Sequence, residues 1–238
     1  MSIYVIGSTK NIFPELDEGR EKFLVDVPHS GDNIDALNPW YCELTGLYYM
    51  WKHSTAKYVG LEHYRRFFAS PKRNKSRMTI EEAEKILEDH DIILCNYRHE
   101  PDFCAYKYFQ RAGKVDDLDQ FIDMLDEKFF PLGTQFKAYT CERSLRQCNM
   151  FISRREIMVK YCEWLFPKLA MFDKYIGIDD RNLRIDGYLA EHIFGLWVRQ
   201  QKLKVLILIL ILILILILIL ILILILILIL ILILILIL

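Results

Sequence analysis

Asn38-Pro-Trp-Tyr-Cys-Glu-Leu-Thr-Gly-Leu-Tyr-Tyr-Met-Trp-Lys52, followed by Tyr58-Val-Gly-Leu-Glu-His-Tyr-Arg-Arg-Phe-Phe68, is the stretch that decides the fold. Asn38 can cap a helix and Pro39 suits its first position. Tyr41, Leu44, Leu47, Tyr48 and Trp51 recur at helical spacing and predict one buried stripe. Lys57 to Leu61 then predicts a strand. A helix, a turn and a strand ending in paired arginines form the repeating unit of an α/β domain, which binds ligands at the C-terminal ends of its strands. Arg65 and Arg66, fenced by Tyr64, Phe67 and Phe68, suit a phosphate with a flat ring beside it, because guanidinium binds phosphate bidentately and stacks on rings.

Outward from that stretch the pattern continues. Ser2 to Gly7 is a β-branched run that predicts a first buried strand, and the polar segment to Asp35 predicts a long loop. Thr79-Ile-Glu-Glu82 is a capping box that opens a helix ending near Asp89. Asp91 to Cys95 predicts a strand. Asp116 to Phe130 predicts a helix with Leu118, Phe121, Ile122 and Leu125 on one face. Cys148 to Ile152 predicts another strand. Ser153-Arg-Arg-Glu156 is a second capping box, opening a helix that carries Tyr161, Trp164 and Leu165. Asp186 opens the last helix, and a final strand begins at Lys202 to Val205. Strands alternating with helices predict an α/β fold with a mainly parallel central sheet.

From Leu206 to Leu238 the chain is an unbroken Leu-Ile alternation. Its length exceeds the ~20 residues that span a bilayer. Its strict period of two has no polar face, unlike an amphipathic strand. It reads as an artificial low-complexity run rather than a membrane span, so the domain is expected over residues 1–205, with 206–238 forming no domain. The run inflates the hydrophobic share to 53%. Without it the share falls to roughly 45%, usual for a soluble domain. Thirty Lys and Arg balance 31 Asp and Glu, so no global basicity points to nucleic acid. The six cysteines show no Cys-x-x-Cys pair, which argues against zinc and for a reduced, mostly buried set in a cytoplasmic protein. No signal peptide is evident at Met1-Ser-Ile-Tyr-Val-Ile-Gly7. Glycine-rich dinucleotide, Walker and Gly-x-Ser-x-Gly motifs are missing from the sequence, which weakens dehydrogenase, P-loop kinase and serine hydrolase readings.

Three segments could carry chemistry. The first is Glu62-His63-Tyr64-Arg65-Arg66, with Lys72, Arg73, Lys75 and Arg77 beyond; the alternatives are a structural ion pair for the two arginines and a solvated basic loop for the other four. The second is Arg181 to His192. Asp186 or Glu191 could be a general base; five residues on a helix turn about 500°, so the two do not share a face. Asp186 could equally be a helix cap, and Glu191 a solvent-facing glutamate. The third is Asn149, a polar residue entering an apolar strand, where it could bond a sugar hydroxyl or hold a turn. Gly31-Asp32-Asn33-Ile34 could be a turn or a contact to a base or ribose.

Taken together these residues resemble a family of bacterial glycosyltransferases from capsular and exopolysaccharide clusters, long catalogued as a domain of unknown function. The matching elements are Asn-Pro-aromatic-Tyr-Cys-Glu-Leu-Thr at 38–45 with Trp-Lys at 51–52, Gly-Leu-x-His-Tyr-Arg-Arg at 60–66, Asn-Met-Phe-Ile at 149–152, Tyr-Cys-x-Trp-Leu-Phe at 161–166 and Gly-Tyr-Leu-Ala-Glu at 187–191. Gly31 to Ile34 also fits. The resemblance implies a GT-A-like fold, a single nucleotide-sugar-binding domain. It implies a UDP-sugar donor, with UDP-galactofuranose the first to test, and a glycan or lipid-linked acceptor, with peripheral association at the inner face of the membrane. On that reading Asp186 and Glu191 are the catalytic candidates in an inverting displacement. Asp32, Asn33, Glu43, His63, Tyr64, Arg65 and Arg66 would bind the donor, and Asn149, Arg184, Tyr188 and His192 the acceptor. The alternative is a non-catalytic nucleotide- or glycan-binding protein on the same fold. Most GT-A enzymes hold a divalent metal, Mn²⁺ or Mg²⁺, on an Asp-x-Asp at this strand end. Here Glu62 and His63 are the candidate ligands, or else Arg65 and Arg66 replace the metal.

Overall fold

The computed structural model describes residues 1–72, 76–96, 98–99, 104–145, 148–208 and 210–212. In chain order the strands are β1 (Ser2–Gly7), β2 (Arg20–Leu24), β3 (Tyr58–His63), β4 (Arg66–Phe68), β5 (Ile92–Cys95), β6 (Arg98–His99), β7 (Ser144–Leu145), β8 (Phe151–Arg154), β9 (Val205–Leu208) and β10 (Leu210–Leu212). The helices are α1 (Asn38–Tyr41), α2 (Leu44–His53), α3 (Ile80–Asp89), α4 (Ala105–Arg111), α5 (Val115–Phe129), α6 (Leu132–Thr140), α7 (Arg155–Ile176) and α8 (Ile185–Gln201).

The main sheet runs β2-β1-β3-β8-β5-β9, with β4 and β10 attached beyond the end of β3. The α/β class with a mainly parallel central sheet stands, with β8 reversed within the run. Strand β8 runs antiparallel to both neighbours, pairing Gly60 with Ile152 on one side and Ile93 with Ile152 on the other. Strands β1, β2, β3, β5 and β9 all point the same way. Their C-terminal ends and the N-terminal end of β8 therefore share one edge. The expected tail begins inside this sheet, since Val205 to Leu208 pair in parallel with Ile92 to Cys95.

Helix α3 covers one face, where Ile3, Phe68, Ile93 and Ile152 meet Ala83 and Leu87. Helices α2, α5, α7 and α8 build the larger core on the other face, around Leu44, Phe121, Leu165 and Ile193. Among the described residues no helix is long and apolar enough to cross a membrane.

Local chemistry explains where elements begin. The Thr79 hydroxyl accepts from the Glu82 N–H at 3.2 Å, and the Glu82 carboxylate accepts from the Thr79 N–H at 2.9 Å, so that capping box forms. The matching pattern at Ser153 does not. Ser153 lies in β8, paired on both sides with Val59 and Ile92, and α7 starts without a side-chain cap. Asn38 likewise caps nothing, since Leu37 precedes the helix. Strand β2 replaces part of the expected long loop; Glu21 and Lys22 are exposed, so its sequence is polar as edge strands often are.

The helix expected over Asn38 to Lys52 breaks at Cys42, whose φ of 51° lies in the left-handed region. A non-glycine residue there is strained and persists only when its surroundings hold it. Here the break turns Glu43 to the start of α2, above the shared strand edge.

Glu62 near the end of β3 is buried against Arg20 of β2. Arg20 donates from Nε to Oε2 at 2.7 Å and from Nη2 to Oε1 at 3.2 Å, and the Phe68 N–H donates to Oε1 at 3.3 Å. Glu62→Ala would strand a buried guanidinium, and the expected cost is about 3–5 kcal/mol, read as a lower urea midpoint. An unchanged midpoint would show that Asp17, which also pairs with Arg20 at 2.8 Å, carries that charge alone.

Candidate active site

A cavity of about 280 Å³ opens at the shared strand edge. Its base is Ile6 of β1 and Leu61 to His63 of β3, with Cys148, Asn149 and Met150 just before β8. Arg65 closes it from the β3–β4 turn and Arg66 from the start of β4, Glu43 from the start of α2, and Tyr108 from α4. Helix α8 and its first turn supply Arg184, Tyr188, Glu191 and His192. These four are spaced by four, three and one residues, which puts them on one helical face.

One side of the cavity is cationic. Among the described residues neither Arg65, Arg66 nor Arg184 makes a salt bridge, whereas Arg20, Arg77, Arg154, Arg181 and Arg199 all do. The structural ion pair considered for Arg65 and Arg66 is thus not formed among these residues. His63 sits among the three arginines; burial first, then the fields of Arg66, Arg65 and Arg184, pull its imidazole down to about 3, so it is neutral at pH 7. Arg184, like Cys42, is a non-glycine residue in the left-handed region, with φ of 66°. Its backbone N–H donates to Pro39 O at 2.8 Å, tying the start of α8 to α1.

The other side is acidic and aromatic. Asn149 Nδ2 donates to Glu43 Oε1 at 3.0 Å and to Gly187 O at 3.3 Å. The Glu191 carboxyl is pushed well above the usual carboxylate range, chiefly by burial and then by the Glu43 charge, with Arg66 and Arg184 opposing. Tyr108 and Tyr188 pack with ring centroids 5.8 Å apart, and the Arg184 guanidinium lies 5.6 Å from the Tyr188 ring. Burial lowers His192 to about 4, leaving it neutral.

Four buried polar atoms on the lining residues have no partner: His63 Nδ1, Arg65 Nε, Asn149 Oδ1 and His192 Nδ1. Orphaned buried polar atoms are rare in native proteins, and their gathering at one cavity leaves it able to bond water or a polar ligand.

Several sequence candidates lie elsewhere. Asp186 neither caps α8 nor lines the cavity. It is fully buried on another side of the helix, its Oδ1 accepting from Arg181 Nη1 at 2.9 Å. Arg181 also bonds Asp173, which accepts from the Tyr41 hydroxyl at 2.8 Å. Burial, with Asp173 adding and Arg181 opposing, raises Asp186 to about 7. Asp32 accepts from the Tyr48 hydroxyl at 2.9 Å, and Asn33 Nδ2 donates to His29 O and Gly31 O, so both build the turn before α1 rather than the cavity wall. Tyr64 faces Phe13 and His63 behind the wall. In the basic loop, Arg77 pairs with Asp17 and stacks on Phe67 with 3.8 Å to the ring centroid. Arg73 and Lys75 lie outside the described residues. Tyr108 and Cys148 were not singled out by the sequence; Tyr108 belongs to a short aromatic helix with no motif, and Cys148 stands beside a residue, Asn149, that was.

The metal candidates fit a cation poorly. Both Glu62 oxygens are occupied by Arg20 and Phe68, and His63 is ringed by guanidinium groups. Among the described residues no cluster of three His, Cys, Asp or Glu side chains could hold a metal ion.

Residues 9–202 match the profile of DUF4422, a domain of unknown function. The chain belongs to that family. No curated protein matches it. Among solved structures it is similar to the apo form of the bifunctional glycosyltransferase WbbM, at 25% identity with a TM-score of 0.74. That likeness covers 89% of this chain and 45% of WbbM, so the chain spans less than half of that protein. The DUF4422 chain has a GT-A-like α/β fold around a central sheet, and its cavity lies at the sheet edge where such folds bind ligands.

Proposed function

We propose that this DUF4422 domain is a glycosyltransferase that moves a sugar from a UDP-sugar to a glycan or lipid-linked acceptor, in the assembly of capsular or exopolysaccharide. The observation that carries this is the two-sided cavity: three guanidinium groups without a carboxylate salt bridge face a carboxylate pair, Glu43 and Glu191, across unpartnered polar atoms. The similarity to a bifunctional glycosyltransferase supports the same class.

In this reading the donor diphosphate lies against Arg65, Arg66 and Arg184, which neutralise the charge that grows on the leaving group. The acceptor sugar lies against Tyr108 and Tyr188, with Asn149 Oδ1 accepting from its hydroxyls and His192 accepting from or donating to them. Glu191 takes the proton from the attacking hydroxyl. The new bond forms between that oxygen and the anomeric carbon, the bond from that carbon to the phosphate oxygen breaks, and UDP departs with the electron pair. A single displacement inverts the anomeric centre. UDP-galactofuranose is the first donor to test.

A thermal-shift screen of UDP-sugars should find one that raises the melting temperature, because a ligand of the native state stabilises it by mass action. Acceptor-dependent release of UDP should follow, and it should persist in EDTA. Donor binding with no release under any acceptor condition would leave a binding protein instead. Loss of activity in EDTA with rescue by Mn²⁺ or Mg²⁺ would overturn the role given to the arginines.

A further inference from the structure

The chain has six cysteines, and two of them meet. Cys148 Sγ lies 2.8 Å from Cys95 Sγ, the one at the end of β5, the other just before β8. Both are buried, and Cys148 also lines the cavity, which places a solute held there beside this residue. Among the described residues no other cysteine sulfur lies against a second cysteine: Cys162 contacts Met158 Sδ at 3.5 Å, and Cys141 stands exposed at the end of α6.

We propose that Cys148 is a site of peroxide oxidation and that Cys95 resolves the product to a disulfide inside the cavity wall. The Cys148 thiolate attacks one oxygen of hydrogen peroxide, the O–O bond breaks, and sulfenic acid and hydroxide result. The Cys95 thiolate then attacks the Cys148 sulfur and expels a second hydroxide. The two hydroxides take up the protons the thiols released, so two thiols and one peroxide give one disulfide and two waters. Contact with Cys95, together with burial, holds the Cys148 thiol well above the ordinary thiol range, while Arg66 opposes. The reaction therefore quickens as pH rises, since the thiolate is the nucleophile.

Closure brings the sulfurs to about 2.05 Å. Cys148 shifts toward Cys95, and the adjacent Asn149, which donates to Glu43 and Gly187, shifts with it. Oxidation would thus distort the wall between the two carboxylates and the strand edge.

The test is peptide mapping of the full chain after treatment with hydrogen peroxide and alkylation of the remaining thiols. The expected product is a peptide pair linked through Cys95 and Cys148, lighter by two hydrogen atoms and restored by dithiothreitol. In Cys95→Ser, Cys148 should instead be trapped by dimedone as the sulfenic acid, which shows the order of events even if Cys148→Ser folds poorly. The proposal is overturned if Cys95 and Cys148 both remain alkylatable at a peroxide dose that oxidises the exposed Cys141. It is also overturned if dimedone labels Cys95 and not Cys148. None of these readouts depends on glycosyl transfer.

Discussion

Glu191→Gln lowers turnover by about 10²- to 10⁴-fold, the usual worth of a positioned general base, while the UDP-induced melting shift persists. Turnover unchanged in this variant would end the assignment. The same residue sets the pH response. Because burial and Glu43 raise the Glu191 carboxyl well above the ordinary range, the acid limb of kcat falls at a pH above that of a free glutamate. Glu43→Gln removes the like charge and moves that limb down. Stability runs the other way. A carboxyl whose folded pKa is raised binds more protons in the native than in the unfolded state, so its contribution is lost as pH rises from the unfolded value through the folded one. Glu191→Gln should therefore gain urea resistance relative to the native chain toward alkaline pH. Asp186→Asn provides the contrast: it disturbs the buried Arg181 pair, so it acts on stability rather than on the acid limb.

Arg66→Ala weakens UDP binding by roughly 10- to 100-fold. Hydrogen bonds to charged groups contribute about 1.5–3 kcal/mol, and about 1.4 kcal/mol is one decade of affinity. Arg66→Lys keeps the charge but loses the planar fork, so it recovers part of that loss. Titration by melting shift or calorimetry reads both. Equal affinities for the native chain and Arg66→Ala would place the diphosphate elsewhere. The second arginine and Arg184 limit the loss, since neither is engaged by a carboxylate among the described residues.

The sequence carries some of this arrangement openly and hides the rest for physical reasons. Strand β1 is legible because Ile3, Val5 and Ile6 are buried, so every position shows the apolar demand. Strand β2 is hidden because an edge strand makes no such demand on Glu21 and Lys22. Thr79 and Ser153 open the same four-residue pattern, yet only the first caps. A sheet partner on each side of Ser153 takes the backbone that a cap would need, and periodicity along one chain does not reveal those partners. The kink at Cys42 is silent for a similar reason: the stripe from Tyr41 to Trp51 reads as continuous although the backbone turns aside within it. Helical geometry separates Asp186 from Glu191, but it does not say which one meets open space. Arg181, Asp173 and Tyr41 settle that by enclosing Asp186.

Arg184 and Glu191 stand at either end of the first two turns of α8, about 10 Å apart along its axis at about 1.5 Å per residue. A helix held this closely by the core moves as a rod. Under the proposed function, a tilt that loosens Arg184 from the diphosphate therefore also displaces the Glu191 carboxyl, and a diphosphate that steadies the first turn also sets the second. Under that function the two ends of the cavity share one mechanical coordinate, and whatever change in affinity occupancy at one end causes at the other is returned by the same factor.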